Sequence, residues 1–346
     1  MGLNKESGIK IGRGTPGQRN LITDVPGVKV GHVTIRDGAD INTGVTAILP
    51  HEGNLFQEKV MASSCVINGF GKTMGLVQVE ELGTIETPII MTNTLSIGTA
   101  ATALIKYMLQ QNEDIGVKTG TVNPLVCECN DGSLNDIRAL YVKEEHVLGA
   151  IENCADTFEE GAVGAGTGMC CLGFKGGIGS ASRLLDIAGK TYTLGVLVQS
   201  NHGTLEELHV MERPLGREII AARKAQETAE PNDRGSIMMI VATDLPVSDR
   251  QLRRILKRCS VGLARNGSYF GHGSGDVMIG FTTANRVPHG GMHRVISHQI
   301  LTEHTLELAF RAAAESTQEA VLNSMVAAKT MTALSGKVYE SITCYL

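Results

Sequence analysis

The chain contains no tryptophan, and aromatic residues make up only 4% of its 346 residues. It lacks any run of about 18 apolar residues that could span a membrane, and its first ten residues lack the apolar core of a secretory signal. The formal net charge of −5 is the wrong sign for a basic nucleic-acid-binding surface. We therefore expect a cytoplasmic protein that binds neither nucleic acid nor membranes.

Metal-binding cysteine spacing is also missing. The eight cysteines form no C-x-x-C pair, since Cys127 and Cys129 are one residue apart and Cys170 and Cys171 are adjacent, and there is no H-E-x-x-H sequence. We predict free thiols, no metal ion and no cofactor. Four histidines in glycine-flanked or polar stretches are predicted to be solvated loop residues: His202, His272, His289 and His293.

Apolar residues and glycine, by contrast, are abundant. Hydrophobic residues make up 42% of the chain, enough for a large core, and the 41 glycines are well above the usual share of about 7%. Short apolar runs rich in β-branched residues predict buried strands at 44–49, 88–94, 194–200, 237–243 and 276–283. Helical spacing or helix-favouring composition predicts helices at 98–112, from Ser248 to Leu263 and over 303–333.

The order of these elements predicts a layered fold. Several predicted strands follow one another without room for a crossover helix, which favours mixed sheets over a purely parallel sheet. Residues 1–20 are polar and glycine-rich, and we expect an arm over the surface. Residues 206–234 are highly charged and end in a predicted exposed loop.

Three glycine-rich segments resemble known motifs only in part. Gly71-Lys-Thr73 lacks the first glycine of a P-loop, and Gly164–Gly168 lacks the last glycine of a dinucleotide-binding loop. The segment Gly271–Asp276 has His272 where a serine-hydrolase elbow needs glycine. None of the three carries a function by itself.

The Gly235-Ser236 junction suggests more specific chemistry, because it joins a charged loop to a predicted buried strand. One interpretation is simple loop closure. The other is self-cleavage, in which the serine hydroxyl attacks the preceding carbonyl and leaves Ser236 as a new amino terminus. An α-amino group with a pKa of about 7.7 to 8.0 could then serve as general base.

Six ordered segments together resemble the self-processing β-aminopeptidases and L-aminopeptidase/D-Ala-esterase/amidases, a family related to the ornithine acetyltransferases. They are 22–32, 130–136, 164–183, 198–201, Gly235-Ser236 and 272–276. The resemblance implies a four-layer αββα sandwich with mixed β-sheets, an α/β (α+β) fold. It also implies one domain over 1–346 that matures into a larger subunit, 1–235, and a smaller subunit, 236–346.

The resemblance also implies roles for individual residues. Ser236 would be the nucleophile freed by cleavage after Gly235, and Asn201 would donate a hydrogen bond to the tetrahedral oxyanion. Ser274 and Asp276 would bind the new amino terminus and manage protons. Glu128 would pair with the free amino group of the substrate. Ser133 stands where some members carry an aromatic residue, which leaves the pocket shape open.

These residues predict an aminopeptidase or amidase that releases a small amino-terminal residue from peptides, amides or esters through an acyl-enzyme. We expect a homo-oligomer of cleaved heterodimers. Two alternatives stay open at this stage. One is an acyltransferase that passes the same acyl group to an amine, and the other is a non-catalytic protein that binds an anionic ligand at the glycine-rich loop 164–179.

Overall fold

The computed structural model describes residues 8–223, 235–290, 295–333 and 335–346. In chain order the strands are β1 Lys29–Asp37, β2 Ile41–Leu49, β3 Glu58–Gly69, β4 Thr84–Ile85, β5 Ile89–Asn93, β6 Leu125–Cys129, β7 Cys170–Cys171, β8 Phe174–Lys175, β9 Gly177–Ile187, β10 Lys190–Asn201, β11 Ser236–Thr243, β12 Gly275–Pro288, β13 Met331–Thr332 and β14 Val338–Tyr339. The α-helices are α1 Leu76–Leu82, α2 Ile97–Gln111, α3 Glu144–Glu152, α4 Leu215–Arg223, α5 Asp249–Leu256, α6 Cys259–Arg265 and α7 Leu306–Val326.

The strands form two large mixed sheets. The first sheet has the order β1-β2-β5-β6 and is antiparallel except for the β5/β6 pair. The second has the order β4-β3-β12-β11-β10-β9 and is antiparallel except for the β11/β12 pair. This arrangement confirms the predicted mixed sheets.

Alternating side chains of β11 show how the layers pack. Met238 and Ile240 belong to a core shared with the first sheet, whereas Ile237 and Met239 belong to a core that includes side chains of α5, α6 and α7. A third core joins the outer face of the first sheet to α2 and α3. Because side chains along a strand point to opposite faces in turn, each sheet is covered on both sides. The predicted αββα sandwich is therefore confirmed.

Each of the five predicted strands overlaps a strand of the structure, and the predicted helix 98–112 corresponds to α2. The Ser248 hydroxyl accepts the Gln251 N–H at 3.2 Å and caps α5, but this region forms two helices, α5 and α6, rather than one. The prediction of helix over 303–333 is wrong after Val326, because Met331 and Thr332 pair with β14 in a hairpin. Of the charged stretch 206–234, the last residues, 224–234, where the loop is predicted, lie outside the described residues.

The predicted amino-terminal arm runs over α7 and β9. Ile11 is buried in the outer core. Glu315 on α7 accepts the backbone N–H groups of Arg13 and Gly14 at 3.0 and 2.9 Å, and Thr15 pairs with Leu184 of β9. The arm is therefore held both by the buried Ile11 side chain and by hydrogen bonds to α7.

Within the described residues, no helix is long and apolar enough to cross a membrane.

Candidate functional site

Ser236 is the first residue of β11, at one end of the second sheet. It is 6% exposed and lies opposite Asn201 of β10 on one side and Gly275 of β12 on the other. A Cβ atom on Gly275 would lie 3.1 Å from the Ser236 hydroxyl oxygen. The sheet register therefore brings Ser236 next to the last residue of one strand and the first residue of another.

Gly235 packs tightly against β10. A Cβ atom there would lie 2.2 Å from the Asn201 carbonyl oxygen and 2.4 Å from the His202 Cα, so a larger residue cannot fit without backbone movement. The Gly235 carbonyl oxygen accepts the Gly275 N–H at 3.2 Å. This contact polarises the carbonyl group that precedes Ser236.

Asn201 is held by two hydrogen bonds. Its Oδ1 accepts the Cys170 N–H at 2.9 Å, and its Nδ2 donates to the Asn130 carbonyl oxygen at 2.9 Å. Directly opposed residues of an antiparallel pair project from the same face, so the amide lies on the Ser236 side. The described contacts use one of the two N–H bonds of Nδ2, which leaves the other able to donate to a ligand.

Ser274 and Asp276 lie where β12 begins, beside Ser236. The Ser274 hydroxyl donates to Asp276 Oδ1 at 2.9 Å, and both residues are fully buried. The side chain of Asn68, at the end of β3, donates to the carbonyl oxygens of Gly271, His272 and Ser274. One asparagine therefore fixes the loop that leads into this pair.

Glu128 lies on β6 of the first sheet and is 2% exposed. Its carboxylate accepts the Lys72 N–H at 2.8 Å and the Thr94 hydroxyl. A Cβ atom on Gly71 would lie 3.4 Å from Glu128 Oε1 and 3.8 Å from the Gly275 Cα. Gly71 and Gly275 thus lie between the Glu128 carboxylate and Ser236. The partial P-loop sequence Gly71-Lys-Thr73 binds this carboxylate of the protein itself through the Lys72 N–H.

The glycine-rich loop 164–179 is packed against protein atoms. Added Cβ atoms on Gly166, Gly177 and Gly179 would lie within 2.0 to 2.4 Å of backbone atoms of Ile178, Gly161 and Ala320, respectively. Close backbone packing therefore accounts for these glycines. This observation favours a structural loop over an anion-binding loop.

Sequence reasoning missed Lys175, which lies in β8 within this loop and is completely buried. Its ammonium group donates to the carbonyl oxygens of Gly166, Met169 and Gly176 at 3.2, 2.6 and 2.8 Å. Burial lowers the pKa of Lys175 to about 7. A lysine inside a run of glycines and apolar residues is the signal that could have found it.

Tyr339 was also missed. Burial and the neighbouring Cys170 thiol raise the pKa of this half-buried phenol, and the adjacent Ser133 hydroxyl opposes that shift. Backbone contact between the Lys175 N–H and the Glu340 carbonyl oxygen at 2.9 Å anchors the segment. The carboxyl-terminal part of the chain therefore places an aromatic side chain beside Ser133, where the chain has only a small hydroxyl.

The prediction for His202 is wrong. It is 1% exposed, because it directly follows β10 and its carbonyl oxygen accepts the Leu172 N–H of the β7/β8 hairpin at 2.7 Å. His272 is exposed, His289 is half-buried, and His293 lies outside the described residues. None of the eight cysteines, all of which the structure describes, forms a disulfide bond, as predicted.

Comparison with known proteins identifies a family of peptidases. Residues 20–339 match the model of peptidase family S58. The chain is 39% identical to the β-peptidyl aminopeptidase BapA of Sphingosinicella microcystinivorans, over 95% of this chain and 87% of that protein.

Two solved structures share the fold. The PH0078 protein from Pyrococcus horikoshii OT3 is 52% identical, with a TM-score of 0.93 over 99% of this chain and 96% of that one. The L-aminopeptidase D-Ala-esterase/amidase from Ochrobactrum anthropi is 35% identical, with a TM-score of 0.87 over 96% and 93%, and is described as a prototype serine aminopeptidase with a variant of the Ntn hydrolase fold. The family match and these identities show that the chain belongs to peptidase family S58.

Proposed function

We propose that this protein is a self-processing aminopeptidase or amidase whose nucleophile is Ser236 at a newly formed amino terminus. The observation that carries the proposal is the meeting of Gly235, Ser236, Asn201 and Gly275 at one end of the second sheet. Membership of family S58 supports the reaction class. The relatives described as β-peptidyl aminopeptidase and L-aminopeptidase support a peptide or amide substrate.

Self-processing would begin with attack of the Ser236 hydroxyl oxygen on the Gly235 carbonyl carbon. The C–N bond then breaks, the Ser236 nitrogen takes up a proton, and the acyl group moves to the serine oxygen. Water hydrolyses that ester to give a Gly235 carboxylate and a free Ser236 amine. The Gly275 N–H, already bound to the Gly235 carbonyl oxygen, would stabilise the negative charge that develops there.

Substrate hydrolysis would use the same hydroxyl. Ser236 attacks the substrate carbonyl, its α-amine takes the hydroxyl proton, and the Asn201 amide donates to the oxyanion. The proton then passes to the leaving amine, and water releases the acyl group from the serine. The Ser274–Asp276 pair, which lies beside Ser236 in the strand register, would bind and orient the α-amine.

Glu128 would accept the ammonium group of the substrate. A hydrogen bond between opposite charges contributes about 1.5–3 kcal/mol, so Glu128→Gln should raise KM about tenfold or more with a smaller change in kcat. Steady-state kinetics on a small aminoacyl anilide measures both values. The Gln side chain keeps an acceptor for the Lys72 N–H, and an unchanged KM would contradict the assignment.

The first experiment is the denatured intact mass of freshly purified protein, with amino-terminal sequencing of any fragment. We expect fragments 1–235 and 236–346, the second beginning Ser-Ile-Met-Met. Ser236→Ala should leave one intact chain and abolish hydrolysis of the aminoacyl anilide, because the attacking oxygen is gone. Ser63→Ala removes an equally buried serine from β3 and should leave cleavage and activity intact.

A Ser236→Ala protein that is still cleaved and active would overturn the proposal. Adding an amine to the assay and measuring aminolysis against hydrolysis products separates the peptidase from an acyltransferase. The expected homo-oligomer of cleaved heterodimers stays a prediction, as does a cytoplasmic location, and solution mass under native conditions measures the first.

A further inference from the structure

The ammonium group of Lys175 contacts carbonyl oxygens instead of a carboxylate. Its three hydrogen bonds go to Gly166, Met169 and Gly176, and within the part of the chain that the structure describes no acid forms an ion pair with it. A buried cation without a paired acid is costly. Two of these carbonyls already have backbone donors, since Gly166 accepts the Met169 N–H and Met169 accepts the Gly176 N–H. The loop therefore does not need a lysine merely to satisfy them.

One peptide group connects this lysine to Asn201. The carbonyl oxygen of Met169 accepts the Lys175 ammonium at 2.6 Å. The N–H of the same peptide group, that of Cys170, donates to Asn201 Oδ1 at 2.9 Å. The hydrogen bonds therefore run in one direction, from the ammonium group through a single peptide group to the Asn201 amide.

We propose that Lys175 is a positioning residue that polarises the Met169–Cys170 peptide and thereby orients and strengthens the Asn201 amide as an oxyanion donor. This inference rests on the proposed function, because it assigns Asn201 to the oxyanion. A cation at a carbonyl oxygen makes the N–H of that peptide a stronger donor, and aligned hydrogen bonds in a dry interior reinforce one another. The bond to Oδ1 also fixes which end of the Asn201 amide carries the N–H groups.

The test variant is Lys175→Met, which keeps the side-chain volume and removes the charge. At about pH 6.5, where Lys175 is still largely protonated, we expect kcat to fall about tenfold with KM nearly unchanged, a smaller loss than the ~10²–10³-fold typical when an oxyanion donor is deleted. Lys59→Met is the matched control. Lys59 is also largely buried and donates to a carbonyl oxygen, that of Phe56, but it forms an ion pair with Glu86. It lies on β3, three strands away from β10, which carries Asn201.

The amide resonance of Cys170 reports directly whether the Lys175 charge reaches the N–H group that contacts Asn201. In protein labelled with ¹⁵N-cysteine, with Cys170→Ser used for assignment, the Cys170 amide proton should shift upfield in Lys175→Met and stay unchanged in Lys59→Met. A weaker hydrogen bond to Asn201 is the cause. Loss of kcat with an unmoved Cys170 amide would overturn the proposal, as would unchanged kcat.

A pH titration keeps the test decisive if Lys175→Met does not fold. In the uncleaved Ser236→Ala chain, the Cys170 amide should shift as Lys175 loses its proton near pH 7. The other ionisable groups that influence Lys175 are Cys170, Cys171, Arg36 and Asp131. Burial raises the pKa of Asp131 to about 6, so its effect falls at lower pH. If the Cys170 amide does not shift between pH 6.5 and 9, the proposed effect of Lys175 on the Met169–Cys170 peptide is wrong. Activity in Ser236→Ala would instead contradict only the assignment of Ser236 as the nucleophile.

Discussion

Two completely buried cations lie eight residues apart in the chain and have opposite surroundings. Arg183 on β9 contacts two carboxylates of α7, Glu315 at 3.3 Å and Glu319 at 2.6 Å. It also donates to the backbone carbonyl oxygens of Ser182 and Ile11. Lys175 contacts three carbonyl oxygens and no carboxylate among the described residues.

Arg183 and Lys175 differ in whether their charge can act on the candidate site. The Arg183 charge is neutralised where it lies, and the two acids also bind the amino-terminal arm through Arg13, Gly14 and Asn20. The field of Lys175 is not cancelled by a contacting acid, so it acts on the nearby peptide groups. Burial alone therefore does not show what a charged residue does, whereas the identity of its partners does.

The largest expected effect follows from removing the paired cation. Arg183→Met leaves Glu315 and Glu319 without their cation, and breaking a buried ion pair typically costs about 3–5 kcal/mol. Denaturant unfolding in the uncleaved Ser236→Ala chain should show this loss of stability. In the cleavable chain, kcat should change little at temperatures where the protein stays folded.

Two controls sharpen this result. Arg213→Met removes an exposed cation paired with Glu218 and should cost less than about 1 kcal/mol. Adding Glu315→Gln and Glu319→Gln to Arg183→Met should recover part of the lost stability, because the two buried charges are removed. A stability loss no larger than that of Arg213→Met would erase the distinction between the two cations.

A smaller, pH-dependent effect is expected from Lys175. Unfolded lysine keeps its usual pKa near 10.5, whereas the native pKa is about 7, so between these values the unfolded chain binds a proton that the native chain does not. Stability should therefore rise with pH above 7, approaching about 1.4 kcal/mol per pH unit, and should be lost as pH falls toward 7. Buried thiols whose native pKa is raised, such as Cys259 with a pKa of about 12, act in the opposite direction as the thiols of the unfolded chain ionise near pH 8.5.

Unfolding free energies at pH 7, 8 and 9 of the uncleaved chain with and without Lys175→Met measure this contribution, which is the difference between the two slopes. Lys59→Met should retain it, because Lys175 is unchanged in that variant. Equal slopes with and without Lys175→Met would mean that other groups account for the pH dependence, and the contrast with Arg183 would then fail.

The fold could be predicted from short-range patterns to a large extent. Runs such as 237–243 and 276–283 are recognisable because β-branched and other apolar residues fill strands buried on both faces. The end of α7 at Val326 was missed, because alanine and other helix-favouring residues continue to Ala328 while pairing with β14 determines the next residues. The helix and strand preferences of the residues themselves do not predict that pairing.

Less of the candidate site could be predicted from the sequence. The Gly235-Ser236 junction is visible in the sequence as a change from charged to apolar residues, but Asn201 and Glu128 were assigned only through the resemblance. The ammonium group of Lys175 contacts carbonyl oxygens within nine residues along the chain, but the roles of Asn68 and Tyr339 depend on contacts with distant residues, such as Asn68 with Gly271, 203 residues away. Sheet register produces those contacts, and no spacing along the chain reveals them.

The strand order of the second sheet has a consequence for the proposed cleavage after Gly235. Strands β11 and β12 of segment 236–346 lie between β3 and β10 of segment 1–235, so a cut after Gly235 leaves one piece intercalated in the other. The pieces could not dissociate without rupturing the sheet on both sides. Refolding from denaturant would then change from a unimolecular to a bimolecular reaction. The cleaved protein would stay folded because it unfolds slowly, more than because its two pieces reassemble.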